Sequence, residues 1–250
     1  FKEDNRSLYG VDINNTQWDV VAKLGKWFHG KPYQSFGSQY NVNGSELESI
    51  YGSDSTSRSY TASSRTFYAN LLFESIIGNT NHSFQTGLSF IGDVLEEQID
   101  SFRFDRTELV PGAFFEYTFK PSEILSLVAG LRADYNSIFG LSVTPRIHTK
   151  WRFNGGNTAI RASVGMGRRT SNIFAQHQFL LASERRVQIL GTEQNDAYGL
   201  NQEIAWNSGL SLEHTFRLGY MPTSLILDYF NTRFVNEVVI DREVPGMVSF

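Results

Sequence analysis

Short and long connections alternate along this chain, and that parity constrains its fold more than any other feature. About ten apolar/polar alternating segments follow one another, each of roughly ten residues, the length of a β-strand that crosses a membrane. The short links are Ile77-Gly78-Asn79-Thr80-Asn81, Lys120-Pro121-Ser122-Glu123, Asn154-Gly155-Gly156-Asn157 and Gly219-Tyr220-Met221-Pro222. Between them fall longer connections at 30–61, 97–107, 137–141 and 169–199. Antiparallel neighbours reverse at each link, so every short turn shares one edge of the sheet and every longer loop the other. Outer-membrane β-barrels have this arrangement. The expected fold is therefore all-β: an antiparallel up-and-down meander of about ten strands forming part of a transmembrane β-barrel. Strands are expected near 16–29, 62–76, 82–96, 108–119, 124–136, 142–153, 158–168, 200–218, 223–235 and 237–242.

Composition narrows the alternatives. Charged residues are 19% of the chain, below the roughly 25% of an average globular protein. No apolar run reaches about 18 residues, so a spanning segment has to be β. The net charge of −4 provides no basic footprint for nucleic acid. The absence of cysteine removes disulfide scaffolds, thiolate metal sites and cysteine nucleophiles together. No initiator methionine, basic n-region or apolar h-region is present, so no secretory signal is read. The chain opens on Phe1-Lys2-Glu3-Asp4 and stops at Met247-Val248-Ser249-Phe250, and it is expected to be an internal piece of a larger protein.

Period-two alternation assigns the faces. In 124–136, Leu125, Leu127, Ala129, Leu131, Ala133 and Tyr135 share an outward face, opposite Ser126, Val128, Gly130, Arg132 and Asp134. Ile160, Ala162, Val164 and Met166 continue the outward set, as do Phe67, Ala69, Leu71 and Phe73. Such alternation equally suits a sheet over a soluble core, and aromatic placement favours the membrane. Phe73, Phe84, Phe119, Trp151, Phe153 and Phe216 lie near the short turns, with Phe28, Tyr135 and Tyr229 assigned to the opposite strand ends. Rings concentrate in this way at the two water–lipid boundaries of a barrel.

Three runs carry a family resemblance. They are Gly130-Leu131-Arg132-Ala133-Asp134-Tyr135, then Val143-Thr144-Pro145-Arg146, then Ile160 through Arg169 with its Gly165-Met166-Gly167-Arg168 ending. In this order they resemble the barrel wall of TonB-dependent outer-membrane receptors. Asn172-Ile173-Phe174-Ala175, Glu203 through Leu210 and Asp228-Tyr229-Phe230-Asn231-Thr232 are similar to versions common in Bacteroidetes-type bacteria. The resemblance covers roughly 108–250; the earlier strands agree only in style. It implies a location in the bacterial outer membrane, with lipid bilayer around the wall. It also implies uptake of a scarce small-molecule ligand (siderophore, haem, cobalamin or oligosaccharide), energised by a TonB-type partner. A complete receptor of this kind has a TonB box, a plug and a barrel of about 22 strands. Residues 1–250 hold no plug candidate and fewer than half the strands, so the chain is expected to be a partial barrel.

No catalytic motif or cofactor site is present. His29, His82, His148, His177 and His214 lack metal-ligand spacing, and no G-x-S-x-G elbow occurs. The acidic run Asp93, Glu96, Glu97 and Asp100 is expected at a loop tip, solvated rather than holding Ca²⁺. Gly165 and Gly167 are expected to let a plug or loop approach the wall. Arg132, Arg146, Lys150, Arg152 and Arg161 form a basic inward face, expected to pair with plug carboxylates, the alternative being a field that attracts anions. The candidate ligand-binding residues are Arg168, Arg169, Asn172, Phe174, His177 and Tyr198 in the loop 169–199, where aromatic anchors mix with hydrogen-bond donors. The bland reading of 172–186 is a structured cover over neighbouring strands. A passive porin or adhesin barrel and a soluble β-sheet binding module are the alternative classes.

Overall fold

The structure, a computed structural model, describes residues 9–53, 56–183, 185–191, 195–243 and 247–250. Ten long strands form its main sheet: β1 (Gly10–Phe28), β2 (Lys31–Ser53), β3 (Thr56–Ile77), β4 (Asn79–Ile99), β5 (Phe102–Phe119), β6 (Leu125–Asn136), β7 (Gly140–Phe153), β8 (Thr158–Arg169), β10 (Glu203–Leu218) and β11 (Met221–Asn236). The short strands β9 (Arg186–Gln188) and β12 (Met247–Ser249) pair separately, in parallel. The main sheet is an antiparallel meander in which each strand pairs with its predecessor, except that β10 follows β8 directly. Strands β1 and β11 are its two unpaired edges. Among the described residues no helix is long and apolar enough to cross a membrane, which says nothing of crossing by strands.

The register assigns the faces that alternation implied. Phe115 opposes Leu131, which opposes Pro145, and Ala129, Ile147 and Val164 form another outward row. Leu88, Leu131, Leu210 and Leu227 on this face are all more than half exposed. On the other face Ser126, Lys150, Arg161, Ser211 and Asp228 form one row across five strands. The apolar band thus lies on a single side. At the short-turn rim, rings run from strand to strand through Phe28, Phe73, Phe84 and Phe115, with centroids 5.9–6.3 Å apart.

The count of ten strands holds, but its composition differs from expectation in instructive ways. Residues 30–61 are not a loop. His29 and Gly30 make a tight turn, with Gly30 at φ 76°, the left-handed region that glycine adopts without strain. The chain then runs through β2 into β3. The direction of β1 is therefore opposite to the one expected, and Phe28 sits beside the short turns, 6.3 Å from Phe73. Residues 97–107 are likewise strand, interrupted only by a turn at Asp100. Residues 237–242 are not a strand: Asp241 makes one isolated bridge to Ser249. Residues 1–8, where the chain opens, lie outside the described residues, as do 184 and 192–194 of the third loop.

One physical cause explains the misread loops. Strands β2 to β5 are 18–23 residues long, about twice the 9–11 a bilayer requires. Their surplus projects at the long-loop rim, since β6 pairs only with the Gly112 to Phe119 portion of β5. Beyond that length the polarity of the faces inverts. Glu46, Glu48, Glu96 and Asp105 occupy outward positions, while Leu47, Tyr51, Tyr60, Leu95, Ile99 and Phe104 turn inward. The hydrophobic phase slips within a continuous strand, and a period-two reading breaks there. The inward side of this projection carries the main buried cluster: Tyr51, Tyr60, Ile99, Ile173, Phe174, Leu180, Leu181, Val248 and Phe250.

Candidate functional site

The inward cover is made by the crossover between β8 and β10. After Thr170 the chain turns through one helical turn, Ile173–Gln176, and a 3-10 turn, Gln178–Leu180. Ile173, Phe174, Leu180 and Leu181 are all buried. Arg106 of β5 anchors its start. Its Nη1 donates to the Ser171 carbonyl at 3.3 Å and its Nη2 to Asn172 Oδ1 at 2.5 Å. Glu108 and Asp93 lie 3.7 and 3.9 Å from this guanidinium, balancing a charge that is 5% exposed.

Glu97 holds the far side. Its carboxylate, 2% exposed, accepts from Tyr60 Oη at 2.5 Å and from Tyr198 Oη. Burial first, and the Glu97 charge second, push both phenols far above their usual range, so both stay protonated donors. Phe104 and Phe174 stack edge-on against Tyr198 at 5.4 and 5.8 Å. Arg58 ties the cover to the hairpin tip: its Nη1 donates to the carbonyls of Ser183 and Arg185, and its Nε to Asp100. The C-terminal strand β12 closes the cluster, with Phe250 N–H donating to the Gln188 carbonyl.

Four of the six candidate ligand residues meet here. Asn172 accepts from Arg106, Phe174 is in the buried cluster, Tyr198 donates to Glu97, and His177 lies half-buried with its ring 6.0 Å from Phe250. Arg169 donates to Glu203 beside them on the inward face. Arg168 is separate, exposed and on the outward parity of β8, opposite Ile204. Alternation in the sequence did not single out Arg58, Glu97, Phe104 or Arg106. Their signal was charged and aromatic residues at inward strand positions beyond the bilayer length, visible only once 97–107 is recognised as strand.

The acidic run is not a loop tip. Asp93 and Glu97 point inward from β4, Glu96 outward, and Asp100 alone occupies the turn. Asp93 accepts from Thr66 at 2.7 Å, and no group of three metal-ligating side chains occurs among the described residues.

The basic wall finds carboxylates within the sheet and in the turn between β5 and β6. Arg132 pairs with Asp134 at 2.7 Å, Arg146 with Glu116 at 2.5 Å, Arg161 with Glu213 at 2.7 Å and Arg152 with Glu123 at 3.9 Å. Lys150 has no ion pair among the described residues. Glycines make room for these side chains. A Cβ on Gly130 or Gly165 would come within 2.9 or 3.3 Å of Arg146, so that side chain lies flat on the wall. Gly165 thus borders Arg146, and Gly167 meets only Asn207, at 4.0 Å.

His177 gives the cover a pH dependence. Burial is the main cause that lowers its pKa; Arg169 and Arg242 add to this, against Glu203. A released segment therefore takes up more protons than the packed one as pH falls through about 6.5. The packing is at full strength above that pH and weakens below it. Limited proteolysis within 170–202 is expected to accelerate between about pH 7.5 and pH 5.5, and His177→Phe to flatten the response. A pH-independent rate in the unmodified protein would remove His177 as the cause.

A sequence profile described as "TonB dependent receptor-like, beta-barrel" matches residues 2–249. The chain belongs to this family. Its apolar band is thereby the lipid-facing side of an outer-membrane barrel wall, and the cover sits at the long-loop rim. No curated relative matches the sequence. Solved structures share the fold of this TonB-dependent receptor barrel at low identity. The Serratia marcescens hemophore receptor HasR, solved with its hemophore HasA and heme, gives a TM-score of 0.66 at 12% identity, over 96% of this chain and 44% of that one. P. aeruginosa FpvA, bound to heterologous pyoverdines, gives 0.62 at 13% identity over 90% and 34%. The alcaligin outer-membrane receptor FauA from Bordetella pertussis gives 0.60 at 15% over 95% and 41%. The chain therefore spans less than half the length of each.

Proposed function

We propose that this chain is one part of the wall of a TonB-energised outer-membrane receptor, of the kind common in Bacteroidetes-type bacteria, that imports a scarce small molecule. The observation that carries this reading is the ten-stranded sheet with a single apolar face and two unpaired edges. Open edges cannot face hydrocarbon, because each unpaired backbone group there costs several kcal/mol. Further strands of the same receptor are what β1 and β11 would pair with, and a plug and a TonB-contacting segment would come from outside these 250 residues. The similar structures are a receptor bound to pyoverdines, an alcaligin receptor and a hemophore receptor with heme, which supports a small-molecule cargo of that kind. In this reading the loop with Arg169, Asn172, Phe174, His177 and Tyr198 is the outer-rim element next to the ligand path, and Arg168 stands at its base.

Energy coupling is the test. In cells expressing the complete receptor, accumulation of the ligand that supports growth is expected to fall at least about tenfold when the TonB-type partner is deleted, with binding to intact cells retained. Accumulation unaffected by that deletion would indicate a passive pore.

A further inference from the structure

Beneath β9, at the tip of the β4–β5 hairpin, lies a cavity of about 550 Å³. It faces inward, because Ile99, Phe102 and Phe104 share the parity of Glu97. This volume falls in the range of small-molecule sites, which combine apolar walls with a few polar groups. Phe102, Phe104 and Phe174 contribute aromatic lining, with Ile99 and Val187 beside them. Phe102, beside the hairpin turn, is 67% exposed, which leaves its ring accessible from the cavity.

The charges on this cavity do not cancel. Arg58 is matched by Asp100 at 3.3 Å, and Asp100 also accepts the Ser59 N–H. Arg186 lines the same cavity, is exposed, and has no carboxylate partner among the described residues. An unpaired guanidinium beside three aromatic rings suits a planar anion: the fork binds a carboxylate in two parallel hydrogen bonds, and the rings take an apolar body.

We propose that this cavity binds a small organic anion, its ring-bearing body against Phe102, Phe104 and Phe174 and its carboxylate on Arg186. The assignment rests on the reading of the chain as a receptor wall, and it names a chemical class for the ligand. A cationic ligand would meet Arg186 with like charge, and a neutral one would leave the guanidinium without its counter-charge.

The test uses the complete receptor in lipid nanodiscs, with fluoronaphthoate as probe and uncharged fluoronaphthamide as its comparison, both followed by fluorine NMR line width. Naphthoate is expected to bind saturably and about tenfold more tightly than the amide. Arg186→Gln should remove that preference by weakening naphthoate alone, and Phe102→Ala should weaken both probes. Among the described residues Arg186 has no ion pair, so its variant should fold. Equal affinity for the two probes, no saturable binding of either, or naphthoate affinity unchanged by Arg186→Gln would overturn the proposal. Probe binding without TonB-dependent accumulation would remove the transport reading and leave the cavity; accumulation without probe binding would do the reverse.

Discussion

Arginine in place of Leu131 is expected to destabilise the folded wall by about 2–4 kcal/mol, whereas arginine in place of Val128 should cost less than about 1 kcal/mol. The two positions lie three residues apart on β6 and on opposite faces. Leu131, seventh of twelve residues in the strand, is 54% exposed on the apolar side, between Phe115 and Pro145. A guanidinium there sits at hydrocarbon depth and reaches water only by distorting the bilayer. Val128 lines an open inward recess of about 380 Å³ with Ser126, Lys150, Arg161 and Asp228, where water screens the added charge from the two cations and Asp228 offsets part of their repulsion. Urea titrations of refolding into lipid vesicles would measure both. Equal cost at the two positions would reject the face assignment.

The second large effect concerns the cover. Glu97→Ala removes the one hydrogen-bond partner that the Tyr60 and Tyr198 hydroxyls have among the described residues and leaves two donors without that acceptor in a buried site. Hydrogen bonds to a charged group contribute about 1.5–3 kcal/mol each, and the loss is offset in part because a buried charge disappears as well. The net local destabilisation is expected at about 2–4 kcal/mol, which accelerates amide exchange in 170–202 by about two orders of magnitude. Exchange in the membrane-crossing half of β6 should remain unchanged. Glu97→Gln should fall between, since its amide oxygen still accepts and its nitrogen cannot. Unaltered exchange in the cover would mean that apolar packing by Ile173 and Phe174 holds it without the clamp.

The membrane half of this fold was legible because the bilayer imposes one strict rule on it. Every outward residue from Leu125 to Ala133 must be apolar, so the period of two is clean, and the register of β6 to β8 follows the faces that alternation assigned. The projecting halves of β2 to β5 obey a different rule. There water lies outside and packed side chains inside, so Glu46 and Glu48 face out where Tyr40 and Val42 face out lower in the same strand. A window centred on the change of phase sees neither period, and β2 looks like a Ser- and Asn-rich loop. The site was half legible for the same reason. Phe174, His177 and Tyr198 were visible as aromatic and polar residues in a long connection. Their partners Glu97, Phe104 and Arg106 come from strands whose parity was lost, and no local pattern states that a crossover after β8 folds back over β3 to β5. The ion pairs of the basic wall also needed the register: Arg146 and Glu116 are 30 residues apart and on strands that are not neighbours.

The most direct measurement exploits the absence of cysteine from these 250 residues. Single cysteines placed from residue 125 to residue 134 can each carry a spin label in the complete receptor reconstituted into bilayers, with any cysteine elsewhere in that receptor replaced by serine. Collision rates with dissolved oxygen report lipid exposure, and collision rates with a water-soluble nickel chelate report aqueous exposure. Labels at 125, 127, 129, 131 and 133 are expected to favour oxygen, and labels at 126, 128, 130, 132 and 134 the chelate or neither, in strict alternation. Uniform accessibility along the segment, or alternation with the two sets exchanged, would contradict a lipid-facing barrel wall.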